Sequence, residues 1–239
     1  MKVLVFDIWG DYGHFRKFYT TSSPLTFAFP PPPTLAGILG AVCGADKADY
    51  LKTFSSDRCR LGLRIMAPVS KVRMGINLIN TKDGVWRLIR GKYHEPRTQI
   101  RTEFLKNPWF RIYMTHNDED IFNSAYRFIG NHNCVFTVSL GLSELLAGYR
   151  FVGIYEARES RDAGIAEILT PVTTSNLVEE GIDVEPGKKY FKEKMPIKMN
   201  PKRVVEEYDD VIYESDGKTI KARMREYWTL DNGDAIAFF

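Results

Sequence analysis

Cations and aromatic rings alternate in two stretches of this chain, and that combination of residue types has a definite chemical use. In residues 10–24, Tyr12, His14, Arg16 and Lys17 stand among Phe15, Phe18 and Tyr19. In residues 69–101, Lys71, Arg73, Lys82, Arg87, Arg90, Lys92, Arg97 and Arg101 surround an Asp83-Gly84 turn, with Trp86 and Tyr93 between them. Lysine and arginine neutralise phosphates and rings stack on unpaired bases, so both stretches have the composition of a single-stranded nucleic-acid contact. The alternative for the first stretch is that its rings only pin a long loop to the core. The second is too basic and too broken by glycines to be core, and reads as a hairpin or excursion leaving a sheet.

The charge distribution supports the same chemistry. A net charge of +3 conceals a balance of +10 over residues 58–111 and of −8 over residues 112–187. Such segregation implies one strongly positive surface aimed at a polyanion, with the acidic segment facing elsewhere. Its alternative is mutual neutralisation, in which the two runs fold onto each other.

Other classes of chemistry find little support. Asp7, Asp11 and Glu144 lack metal-ligand spacing, and the chain has no glycine-rich nucleotide loop of the Walker or Rossmann kind, so neither a metal nor a cofactor is expected. Cys43, Cys59 and Cys134 are odd in number and far apart, which argues against a disulfide framework or structural zinc and for a reducing, cytoplasmic setting. No apolar run approaches the ~20 residues that span a bilayer. The opening MKVLVFDIWG reaches Asp7 too soon for a signal-peptide core and reads as a strand.

With 239 residues, 44% of them hydrophobic, the chain can form one large or two small domains. Its organising stretch is FAFPPPPTLAGILGAVCGA, from Phe27 to Ala45. Four prolines force an extended approach, after which a helix is expected with Thr34 as its N-cap and Leu35, Ile38, Leu39 and Val42 on one face. Gly37, Gly40 and Gly44 each cost roughly 1 kcal/mol against alanine, so they are expected to permit close packing. The N-terminus of this helix is also a candidate phosphate site.

Leu61, Leu63 and Ile65 alternate as a strand does, and so do Phe110, Ile112 and Met114, with Arg111 and Tyr113 on the other, open face. A helix capped by Asp118 and ending at Gly130 follows, then strands over 134–140 and 150–157. The order predicts an α+β, ferredoxin-like (RRM-like, βαββαβ) domain over residues 1–160, with an excursion at about 70–103 and one sheet face open to a ligand. Residues 161–239, with turns at Asp216-Gly217 and Asn232-Gly233, read as a second, small antiparallel β domain.

Four stretches carry a family resemblance. WGDYGHFRKFYTTSSPLTF, PPPPTLAGILGAVCG, EFLKNPWFRIYM and VSLGLSELLA resemble, in that order and across about two thirds of the chain, the fifth CRISPR-associated (Cas) protein family, in particular its type I-B form. The tail KMPIKMNPKRVVEEYDDVIYESDG is similar as well. The resemblance implies a RAMP-superfamily subunit of a Cascade surveillance complex, acting in antiviral defence without catalysis. Such a subunit binds the 5′ handle of the guide RNA (crRNA) with a thumb inserted in a ferredoxin-like domain, and residues 71–101 occupy the thumb's place. Its implied neighbours are the backbone subunit that coats the spacer and the large subunit that reads the flanking motif. Gly141 and Ser143, in SLGLSE, fall in the family's glycine-containing loop and are carried over as RNA contacts.

The type I-C branch of that family instead cuts precursor RNA without metal, which requires a base, an acid and a cation. His116 lies near that branch's Lys–His pair, but Tyr113, Met114 and Thr115 precede it with no lysine. The branch's tyrosine near the end of the first helix is replaced by Val42, Cys43 and Gly44. His14, beside Arg16 and Lys17, is the other candidate base. The expectation is a binder, with a metal-independent endoribonuclease as the alternative.

Overall fold

The computed structural model describes Met1 to Phe239 except Thr21 and residues 82–89, 92–94 and 162–163. The Asp83-Gly84 turn and Lys82, Trp86, Arg87, Lys92 and Tyr93 therefore lie outside the described residues.

The elements in order are β1 (Lys2–Trp9), β2 (Tyr12–Gly13), α1 (Pro32–Cys43), α2 (Tyr50–Thr53), β3 (Cys59–Ile65), β4 (Lys71–Ile79), β5 (Arg97–Lys106), β6 (Trp109–His116) and α3 (Glu119–Gly130). There follow β7 (Gly148–Ser160), β8 (Ile165–Ile168), β9 (Val172–Thr173), β10 (Leu177–Asp183), β11 (Tyr190–Met199), β12 (Val205–Glu214), β13 (Ile220–Met224), β14 (Tyr227–Leu230) and β15 (Ala235–Ile236). The structure is mixed, built mostly of antiparallel sheets with few helices. Its central sheet has the order β15-β14-β7-β1-β6-β3, and three smaller sheets run β10-β13-β8, β11-β12-β9 and β2-β5-β4.

Alternation along β1 decides what each sheet face meets. Leu4, Phe6 and Ile8 point to the helices and join Phe110, Ile112 and Met114 of β6 with Leu35, Leu39 and Phe122 in the main core. Val3 and Val5 point the other way, with Tyr113, into a second core closed by Trp228, Leu230, Ile236 and Phe238. The face expected to be open is thus covered over this half by the last strands, which add to β7 as β14 and β15. Tyr113 is completely buried. Arg111 is not free either, since its guanidinium grips the buried Asp7.

Helix α1 begins at Pro32 rather than after Thr34, with Pro31 as N-cap and no side-chain cap. Proline is favoured in the first turn because its fixed φ suits the helix and its missing N–H would have been unsatisfied there. The consequence corrects the phosphate expectation. Pro32 and Pro33 have no N–H, and those of Thr34 and Leu35 both donate to the Pro31 carbonyl at 2.8 and 3.1 Å, so the first turn keeps no free amide.

The expected strand at 134–140 is a loop that ties down the other end of α1. Val135 and Phe136 N–H donate to the Val42 and Ala41 carbonyls. Gly44, with φ +77°, caps the helix, and a Cβ there would come within 2.8 Å of Val135. Asp118 caps α3 as its position predicts, accepting from the N–H groups of Asp120 and Ile121.

Candidate nucleic-acid interface

The basic excursion forms the hairpin β4/β5, and its register sorts the side chains. Directly opposed residues share a face, so Lys71/Leu105, Arg73/Glu103, Gly75/Arg101, Asn77/Gln99 and Ile79/Arg97 lie on one side. Val72/Phe104, Met74/Thr102, Ile76/Ile100 and Leu78/Thr98 lie on the other. One face is therefore a polar, cationic ladder and the other is apolar. From Asn77 to Ile79 and from Arg97 to Gln99 both faces are exposed, so this end of the hairpin stands clear of the body.

Charge along the ladder is not uniform. At the root, Glu103 lies 3.5 Å from Lys71 and 3.6 Å from Arg73, and Lys71 Nζ also donates to the Thr26 carbonyl at 2.9 Å. Toward the tip, the side chains of Arg101 and Arg97 have no hydrogen-bond or ion-pair partner among the described residues. Arg90 and Glu95 lie 4.0 Å apart, both largely exposed. Among the described residues no ion pair joins a basic group of 58–111 to a carboxylate of 112–187.

Beside the hairpin's apolar face lies a cavity of about 400 Å³ lined by His14, Arg16, Thr34, Thr102, Leu142 and Glu144, among others. Gly141 fixes its geometry: at φ +101°, a Cβ would stand 1.9 Å from the His14 carbonyl oxygen, a position only glycine fills. The His14 N–H in turn donates to the Leu140 carbonyl at 2.9 Å, so the two loops are locked together. Ser143 is exposed on this loop and donates to the Glu144 carboxylate. Tyr12 is half-buried edge-on against Phe104. Residues from the two sequence stretches and from the glycine loop thus meet at one place.

Three candidates take structural roles that their spacing did not reveal. Lys17 is buried and donates to Glu193 at 2.8 Å, so its charge is spent inside the fold. His116 accepts the Asp118 N–H on Nδ1 at 2.9 Å, which leaves Nε2 protonated to donate to the Thr53 carbonyl, also at 2.9 Å. Both ring nitrogens are occupied, and the residue works as a clip between α2 and α3. His14 donates from Nδ1 to the Glu103 carbonyl at 2.7 Å, and burial holds its pKa below the usual histidine value, so the ring is neutral near pH 7. Of the two histidines, His14 alone keeps a ring nitrogen, Nε2, without a partner among the described residues.

No family model and no curated protein matches the sequence. The fold, however, is similar to solved CRISPR-associated structures. A CRISPR protein from Archaeoglobus fulgidus superposes with a TM-score of 0.58 at 12% identity, over 99% of this chain and 98% of that one. A chain of a CRISPR RNA-guided surveillance complex gives 0.54 at 10% identity, over 93% and 92%. A chain of the type III-B Cmr-beta complex bound to cognate target RNA and AMPPnP gives 0.53 at 13% identity, over 92% and 86%. At such identities the likeness is one of fold.

Proposed function

We propose that this chain is a CRISPR-associated protein of the RAMP type, a non-catalytic subunit of a Cascade-type surveillance complex that binds the 5′ handle of the guide RNA. The observation that carries the reading is the hairpin: Arg97 and Arg101 stand exposed on one face of an arm whose outer end, at Arg97, is exposed on both sides, while Glu103 holds its root cations in place. Arg90, Arg87, Lys92 and Trp86 belong to the same arm in the sequence. Neutralising phosphates with such cations gives affinity without sequence readout, and the cavity at the root, with Arg16 and the Gly141–Ser143 loop, offers room for an unstacked base.

The topology supports the same assignment. Within the central sheet β7-β1-β6-β3, α1 connects β1 to β3 and α3 connects β6 to β7, an order that fits the proposed ferredoxin-like domain with β4/β5 as its thumb. The motifs resemble the type I-B form, and that resemblance implies a backbone subunit and a large subunit as neighbours.

Incubating the purified protein with labelled repeat RNA in EDTA tests the proposal. Retention without cutting is expected, with affinity falling steeply as salt rises. Specific cleavage that disappears in His14→Ala overturns it in favour of a metal-independent endoribonuclease.

A further inference from the structure

The half of the central sheet that the last strands leave uncovered carries an unusual pair of rows. Cross-strand partners share a face, so the register places Arg150, Asp7, Arg111 and Arg64 side by side across β7, β1, β6 and β3. In the next row toward the sheet's end, Gly148, Trp9 and Trp109 stand side by side on that same face. Two residues along a strand rise about 6.6 Å, so Trp109 has Arg111 as its neighbour at that spacing, while Trp9 has Asp7 there, with Arg150 and Arg111 diagonal to it on the adjoining strands.

Trp9 is 39% exposed and Trp109 38%, large exposures for tryptophans inside paired strands. The reason for Trp9 lies in Gly148. A Cβ built on Gly148 would meet Trp9 Cε2 at 2.7 Å and two of its three bonded neighbours, Cζ2 and Nε1, both at 2.9 Å. An approach along the ring edge would bring one of those neighbours closer than Cε2; only an approach from above the ring makes Cε2 nearest. The indole therefore lies flat over the bare glycine backbone, with one face down on β7 and the other turned outward.

The arginines around it are held but not exhausted. Asp7 is completely buried and accepts Arg111 Nε at 2.8 Å and Arg150 Nη2 at 3.1 Å, yet Arg150 remains 62% exposed. The buried Nε of Arg64 has no acceptor among the described residues. Arg111 and Arg150 face the Asp7 carboxylate, and Asp234, in the turn before β15, acts on Arg111 electrostatically.

We infer that this face is a second nucleic-acid contact, separate from the thumb, in which Trp9 stacks a base of a single strand while Arg150 meets its phosphate. A flat, outward-turned ring beside cations suits a nucleobase and its backbone. The strip depends on nothing in the thumb reading.

The test is fluorescence anisotropy at low salt with a labelled uridine oligonucleotide of about 12 nucleotides, and its thymidine counterpart to separate RNA from DNA. Trp9→Ala is expected to weaken binding about tenfold, Trp9→Phe to restore most of it, and Gly148→Ala, which tips the ring up, to weaken it as well. Because one face of Trp9 packs on β7, Trp9→Ala is expected to lower the thermal midpoint while the chain stays folded, and binding is measured well below that midpoint. The thumb variant Arg97→Glu/Arg101→Glu serves as the independent arm. If it loses binding while Trp9→Ala binds both oligonucleotides like the wild type, the stacking inference fails and the thumb reading survives. Loss of binding in Trp9→Ala with the thumb variant unaffected supports the stacking face and removes the thumb from the contact. Should Trp9→Ala keep nucleic-acid binding but lose association with another protein subunit, the face is a protein dock and the inference is overturned.

Discussion

The Asp7 carboxylate meets the Arg111 guanidinium at two points, Oδ1 at 2.8 Å from Nε and Oδ2 at 3.3 Å from Nη2, in the middle of the central sheet. Asp7 is wholly buried, so its charge is tolerable only while arginines face it. Arg111→Ala should therefore cost about 3 kcal/mol in urea unfolding, with Arg150 alone left to face the carboxylate. Asp7→Leu combined with Arg111→Met should recover most of that loss, because two packed apolar chains replace a desolvated pair. A double variant as unstable as the single one would show that the pair contributes more than it costs.

Glu103 acts as a brake on the thumb, since it neutralises Lys71 and Arg73 at the root. Glu103→Gln should tighten RNA binding and steepen its salt dependence, whereas Arg97→Glu with Arg101→Glu should weaken binding at least about tenfold and flatten the slope by about 2. Lys17→Ala provides the contrast. Removing it leaves the mostly buried Glu193 with the more distant Lys71, 4.0 Å away, so stability should fall by about 2 kcal/mol while the salt slope stays where it was. A Lys17 variant with normal stability and weak RNA binding would return that residue to the interface.

His14 gives a pH signature. Its pKa in the folded chain is lowered, chiefly by burial, relative to about 6.5 when unfolded. The folded state therefore binds fewer protons than the unfolded one in this window. The contribution is fully present above about pH 6.5 and is lost as pH falls through that value toward the lower, folded pKa. His14→Asn, which keeps a donor toward the Glu103 carbonyl, should show a flatter stability profile than the wild type between about pH 7 and pH 5. Parallel profiles for the two proteins would mean that His14 ionises as freely folded as unfolded.

Much of this architecture is local and therefore readable. The Asp118 cap, the alternation of Leu61, Leu63 and Ile65, and the glycine turns at Gly217 and Gly233, with φ of +78° and +89°, are set by nearest neighbours. The charge segregation likewise ends as a ladder on one hairpin face. What the sequence could not disclose are partners far away in the chain. Lys17 looked like a phosphate ligand until Glu193, 176 residues on, closed over it. The return of β14 to the edge of β7, which hides Tyr113, has no local signal either. Nor does the berth that Gly148 makes for Trp9, because neither residue is unusual until β1 and β7 are paired. The missing amides of α1 were readable in principle, since four prolines in a row cannot donate.

The glycines of α1 make the last test, because the structure assigns them unequal roles. A Cβ on Gly40 would stand 2.8 Å from Tyr50 Cβ, a backbone-anchored atom that cannot swing away, while one on Gly37 would stand 3.6 Å from the Tyr50 ring, an ordinary contact. Gly40→Ala must push α2 off α1 and should cost about 1–3 kcal/mol. Gly37→Ala clashes with nothing and removes a flexible residue from a helix, so it should be neutral or stabilise by up to about 1 kcal/mol. Both replacements add the same methyl to the same helix, so helix propensity alone predicts that they shift the unfolding midpoint equally and upward. Opposite shifts in thermal or urea unfolding would place the difference at Tyr50; equal shifts would refute the close approach of α2 as the reason for glycine at position 40.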